Sequence, residues 1–202
     1  IIEGWIEGPC AEAADLRGIS TLMLDFYDDQ RFVNDLLDFV MKTAMSFARA
    51  QIDAGANLIG IGDAAASLIG PELYEQYIFS REELLIRQIQ EMGAMVRLHI
   101  CGNTTPILEH LGRLQPDIID VDSMVSIETA RKIMPGSMVI LGNIDPVRTL
   151  RDGTPQSVYS AIGHCHLQAG PYYIVGAGCE IPRDTNHENV RALTRYAREH
   201  KP

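Results

Sequence analysis

Six short, almost continuously apolar runs alternate with longer amphipathic stretches along the chain. The runs are IIEGWIEG (1–8), ANLIGIGD (56–63), MVRLHIC (95–101), DIIDVD (117–122), MVILGNI (138–144) and YYIVGAG (172–178). Apolar runs of this length with no in/out alternation belong to strands covered on both faces, which is the habit of parallel sheets. The stretches between them, 31–54, 71–92, 104–114, 126–133, 155–169 and 187–200, carry helical periodicity. Strand and helix in strict turn predict βαβ units and a parallel sheet.

Helix punctuation agrees. Asp28 or Asp29 is placed to cap the long second segment. Thr104 precedes Pro106, and Thr154 precedes Pro155, which suits the first turn of a helix. Gly55, Gly93 and Gly170 each stand after a helix and before a strand, where a left-handed residue ends the helix.

Polar residues gather at the carboxyl ends of the strands: Glu7, Asp63, His99, Cys101, Asp122, Asn143, Asp145, Cys179 and Glu180. In a (β/α)8 TIM barrel that end is the catalytic face. Six strands are countable where a closed barrel has eight. Residues 1–202 therefore read as the C-terminal portion of a single barrel domain, about six βα units, with about two units expected upstream. An open doubly wound sheet is the alternative architecture. Incomplete closure would leave strand edges able to pair between chains, so a homo-oligomer is one expectation.

The formal net charge is −10, with no Lys/Arg cluster, which argues against a nucleic-acid surface. No apolar run approaches a membrane span. Ile1 opens directly into a strand-like run rather than a basic leader. Four cysteines in a chain of this size do not make a disulfide framework, so reduced thiols and a cytoplasmic location are expected.

Two thiols and one imidazole carry the strongest chemical signal. His99 and Cys101 are two apart on one strand, so their side chains point to the same face. Gly102 lets the chain turn away afterwards. Cys179 ends another strand, after Gly176 and Gly178, which permit close backbone approach. A lone His-x-Cys is more often core packing. A second thiol at an equivalent strand end on the same rim favours one zinc ion, and an open fourth position would make the site catalytic.

Other candidates are weaker. His164, Cys165 and His166 lie on a helix whose apolar stripe is Val158, Ile162, Cys165 and Ala169, so Cys165 faces the core and the histidines diverge. Cys10 follows the first strand without partner spacing. His110 and His200 read as solvated helix residues. Gly60, Gly62 and Ala65 imitate a dinucleotide fingerprint, but Asp63 in that turn would repel a pyrophosphate.

The segments HICGNT (99–104), GAGCEIP (176–182), GNIDP (142–146) and EGP (7–9) together resemble the uroporphyrinogen decarboxylase superfamily, over essentially the whole chain. The H-x-C…C pattern looks like its zinc-dependent branch, the methylcobamide:coenzyme M methyltransferases and related corrinoid-linked enzymes. The resemblance implies a (β/α)8 barrel, zinc on His99, Cys101 and Cys179, and a corrinoid carried by a partner protein. The expected reaction moves a methyl group between that corrinoid and a thiol or a methylated small molecule. The alternative is a metal-free, decarboxylase-like lyase.

Two thiolates neutralise a zinc ion's charge, which suits activation of an incoming thiol better than acidification of water. Glu7, Asp63 and Glu180 are carboxylates at strand ends that can orient substrate or complete the site. Asp63 is favoured for catalysis, with Glu7, because Gly62 and Ala64–Ala66 are expected to leave open space around it. Asp122, Asn143 and Glu180 are expected to touch substrate or the back of a ligand imidazole.

Overall fold

In the computed structural model, which describes residues 1–200, six strands form one parallel sheet in the sequential order β1 to β6. They are β1 (Glu3–Glu7), β2 (Leu58–Gly62), β3 (Met95–Ile100), β4 (Ile118–Val121), β5 (Val139–Ile144) and β6 (Tyr173–Ala177). Each lies inside the run that the sequence marked for it. A doubly wound sheet reverses its strand order at a switch point. This sheet never does, so it is six consecutive βα units of a barrel wall.

Helices follow every strand. Three come after β1: α1 (Pro9–Arg17), α2 (Ile19–Asp28) and α3 (Gln30–Asp53). After β2, a 3₁₀ turn (Ala64–Leu68) leads into α4 (Gly70–Leu73), a π turn (Tyr74–Ile78) and α5 (Phe79–Glu91). The remaining units add α6 (Leu108–Leu114), α7 (Ile127–Ile133), α8 (Pro155–Ala169) and α9 (His187–Glu199). None of the described helices is long and apolar enough to cross a membrane.

The caps form as local chemistry requires. The Asp29 carboxylate accepts from the Phe32 N–H at the start of α3, and Thr154 and Ser157 make a reciprocal capping box on α8. Gly55, Gly93 and Gly170 take φ of 108°, 88° and 78° at the helix ends.

Three local readings are corrected. The α1–α2 pair was not expected, because PCAEAADLR carries no clear apolar stripe. Its buried face is made of Cys10, Ala11, Ala13 and Ala14, small residues that let α1 lie close to its neighbours. The single helix expected over 71–92 is broken by the π turn, which turns Tyr74, Tyr77 and Ile78 all inward. His110 is not solvated: its ring packs edge-on against Tyr74 and Phe79, and Nε2 lies 2.9 Å from a Glu75 carboxylate oxygen. His200 is exposed but stacks on Tyr196 with centroids 4.0 Å apart.

The main core lies between sheet and helices. Val96, Leu98 and Ile100 of β3 point into it and are at most 2% exposed. The alternate residues Arg97 and His99 point to the other face, the barrel interior, where polar chemistry collects. Trp5 lies across the same face. Gly60 and Gly62 make room for it, since a Cβ on Gly60 would stand 2.2 Å from the indole. Those glycines therefore serve packing, not a nucleotide.

Candidate metal centre

His99, Cys101 and Cys179 meet. Their ligand atoms all lie within 4.8 Å of one another. His99 Nε2 is 3.1 Å from Cys101 Sγ and 3.9 Å from Cys179 Sγ, and the two sulfurs are 3.7 Å apart. β3 supplies the first two from one face. The loop after β6 supplies the third, and it can approach because Gly178 lacks a side chain: a Cβ there would stand 2.2 Å from the Ser123 backbone nitrogen.

The three line a cavity of about 450 Å³ together with Trp5, Arg97 and Glu180. His99 is buried and the thiols are half-buried, so the ligand atoms face an accessible space.

The electrostatics suit a cation. Burial disfavours the imidazolium of His99, but Asp120 and Cys101 outweigh it and push the pKa up to about 11. His99 in turn holds Cys101 below the ordinary thiol range. Burial pushes Cys179 up. His99 and Cys101 thus favour each other's charged forms, and a metal ion would displace the protons that the trio holds.

The back of the imidazole supports the same fit. Nδ1 is buried, lacks a hydrogen-bond partner, and stands 3.4 Å from Asp120 Oδ2. One nitrogen and two sulfurs in a tight triangle, with the imidazole backed by a carboxylate, fit zinc.

The other expected residues divide sharply. Glu180 lines the cavity beside Cys179. Glu7 accepts from Trp5 Nε1 at 3.2 Å, on the same side of β1, and burial raises its pKa. Glu7 is not among the converging ligands. Asp122 is buried and fully engaged: it accepts from the Gly102 N–H at 2.8 Å, the Met124 N–H at 3.0 Å and the Ser123 hydroxyl at 3.2 Å. It thereby pins the loop that carries Cys101. Asn143 donates to the Asp122 and Val125 carbonyls and accepts weakly from the Cys165 thiol. Its amide braces the β4 loop.

The open space expected around Asp63 does not exist. The residue is 0% exposed, and its oxygens accept from the Ala11 N–H at 2.6 Å and the Cys10 N–H at 3.3 Å. The start of α1 fills the space instead: a Cβ on Gly8 would stand 2.5 Å from the Asp63 side chain. Asp63 also lies against Glu82 of α5, which is equally buried and accepts from the Tyr74 hydroxyl. Burial drives Glu82 well above the carboxylate range, Asp63 adding to the effect. Burial therefore favours the protonated form of Glu82, whose second oxygen, Oε1, has no hydrogen-bond partner. Cys10, buried beside them, is pushed up as well.

Sequence reasoning missed Trp5, Arg97, Asp120 and Glu82. Only Asp120 left a signal. In DIIDVD it shares a strand face with Asp122, but its pairing with His99 needs the β3–β4 register, which aligns the two residues.

Consecutive βα units with reactive side chains gathered at the strand ends define a class, the (β/α)-barrel enzymes, here as a partial barrel. The family profile for uroporphyrinogen decarboxylase (URO-D) matches residues 2–200, and the chain belongs to that family. It is 33% identical over 200 residues to the methylcobamide:CoM methyltransferase MtbA of Methanosarcina mazei, an alignment covering 98% of this chain and 58% of that protein. It is 26% identical over 168 residues to the uroporphyrinogen decarboxylase of Carboxydothermus hydrogenoformans, covering 82% and 47% respectively. A solved methyltransferase from Methanosarcina mazei superimposes with a TM-score of 0.89 at 25% identity, over 98% of this chain and 58% of that one. The chain thus spans a little over half the length of the methyltransferases it matches.

Proposed function

We propose that the chain forms the metal-binding part of a zinc-dependent, corrinoid-linked methyltransferase. The reaction moves a methyl group between a corrinoid protein and a thiol or methylated small molecule. The convergence of His99, Cys101 and Cys179 at an accessible cavity carries this reading. Similarity to methylcobamide:CoM methyltransferases supports it.

His99 and the two thiolates would hold the ion with no net charge on the site. Bound zinc supplies the Lewis acidity that keeps a thiol ionised near neutral pH. Asp122 fixes Cys101 through Gly102. Glu180 orients the reacting molecule from the cavity wall, Glu7 lines a neighbouring pocket across Trp5, and Asp63 serves the frame. In the forward direction the thiol gives up its proton and its sulfur bonds the methyl carbon. The carbon–cobalt bond of the partner's corrinoid breaks, leaving its electron pair on cobalt. Demethylation of a methylated substrate runs the same exchange in reverse. Four free cysteines suit the reducing cytoplasm.

The test is elemental mass spectrometry of the purified protein beside Cys101→Ser and Cys179→Ser. About one zinc per chain, lost in both variants, is the expected result. A wild-type protein that takes up no zinc after reconstitution would sink the proposal and leave the metal-free, decarboxylase-like reading.

A further inference from the structure

We propose that Asp120 is the residue that makes His99 a metal ligand, by accepting the Nδ1 proton, and that Arg97 holds Asp120 in place to do so. This rests on the metal-site reading above.

A neutral imidazole has one N–H and one lone pair, and which nitrogen carries which is decided by what each faces. Here the two sides differ. Nε2 faces the sulfurs. Nδ1 faces Asp120 Oδ2 at 3.4 Å and has no other partner. A carboxylate there draws the proton to Nδ1 and leaves the Nε2 lone pair for the ion. The contact is set by backbone, since His99 and Asp120 are register partners on adjacent strands. A shift of a few tenths of an ångström turns the 3.4 Å approach into a charge-assisted hydrogen bond.

Arg97 gives Asp120 its fixed position. Its Nε and Nη2 both donate to Asp120 Oδ2, at 3.2 and 2.5 Å. Its Nη1 donates to Glu3 at 3.0 Å, and its guanidinium lies 5.6 Å from the centre of the Trp5 ring. Arg97 also supplies the opposite charge that a carboxylate buried to 6% exposure calls for. The two arginine bonds also keep Oδ2, the oxygen nearest the imidazole, turned toward it. Asp120 Oδ1 is buried without a partner. A side chain present only to pair with Arg97 would sit more comfortably with both oxygens bound, as a fork-to-fork pair.

The experiment measures zinc affinity by chelator competition, and the visible spectrum of the cobalt-substituted protein, in Asp120→Ala, Asp120→Asn and Glu3→Gln. Asp120→Ala should weaken zinc binding about 10–100-fold and shift the cobalt bands. Asp120→Asn, whose amide oxygen still accepts from Nδ1–H, should recover part of that loss and carries the test if the alanine variant does not fold. Glu3→Gln removes only the outer partner of Arg97 and should stay within about twofold. ¹⁵N spectra of the zinc-loaded wild type should show Nδ1 protonated. A folded Asp120 variant with wild-type affinity and an unchanged cobalt spectrum would overturn the role of Asp120 alone. A wild type that binds no zinc would overturn the metal reading beneath it.

Discussion

Two polar centres stand at the carboxyl end of the same sheet and have opposite characters. At β3 and β6, His99, Cys101 and Cys179 face a cavity. At β2, Asp63 and the neighbouring Glu82 of α5 are sealed at 0% exposure, Asp63 under the α1 backbone and Glu82 beneath Tyr74. Strand-end position thus makes a residue available for chemistry without assigning it any. What decides is whether the chain that follows turns away, as Gly102 does after Cys101, or another element closes over the residue, as the start of α1 does over Asp63. The first arrangement leaves ligand atoms without partners. The second engages the Asp63 oxygens within the protein and ties β2 to α1.

The contrast predicts that substitutions at the sealed centre will damage the fold and spare metal binding. Glu82→Ala removes the acceptor of Tyr74 and leaves a cavity beside Asp63. The expected loss is about 3–5 kcal/mol in urea unfolding. Glu82→Gln keeps one donor and one acceptor in the same shape and should cost about 1 kcal/mol or less. Both should hold zinc with wild-type affinity while folded. Loss of zinc in folded Glu82→Gln would erase the distinction between the two centres.

A smaller effect concerns pH. Burial, opposed by bonds from Glu82, Ala11 and Cys10, pushes Asp63 up to about 6 from 3.8. A carboxyl raised on folding binds its proton more tightly in the native state. Its contribution is complete below pH 3.8 and is lost as pH rises through about 6. With a chelator present to exclude metal linkage, wild type should lose on the order of 2–3 kcal/mol relative to Asp63→Asn between pH 4 and 7. Parallel stability curves for the two proteins would show that Asp63 does not titrate in this window.

The smallest expected effect probes how the accessible centre is held. Asp122→Ala releases the Gly102 and Met124 N–H groups and should cost roughly 1–2 kcal/mol. Zinc affinity should fall about tenfold as the Cys101 loop loosens. Trp5, the only tryptophan, lies in the same cavity, so its fluorescence can follow the zinc titration. An unchanged titration would mean that β3 alone positions Cys101.

Much of this was legible in the chain. All six strands lie inside their apolar runs, because a buried parallel strand needs side chains that tolerate both faces. The α8 cap over Thr154 and Ser157 forms from neighbours three residues apart, so no distant contact is needed to foresee it. The pairing of His99 with Cys101 follows from the period of a strand. The α1 helix was not legible: its buried face is alanine and cysteine, too small to mark a stripe.

The sequence by itself therefore determined which residues become strands, which strand ends carry reactive side chains, and that His99 and Cys101 share a face. These are consequences of periodicities of two and 3.6 and of local caps. Cys179 was expected on the same rim, and the tertiary structure brought it within reach; only that structure decided that Asp120 backs His99 and that Asp63 is sealed beside Glu82. The physical reason is distance along the chain. Cys101 and Cys179 are 78 residues apart, His99 and Asp120 are 21, and Asp63 and Glu82 are 19. Strand order, register and the packing of helices bring such groups together, and none of these is written in a local pattern.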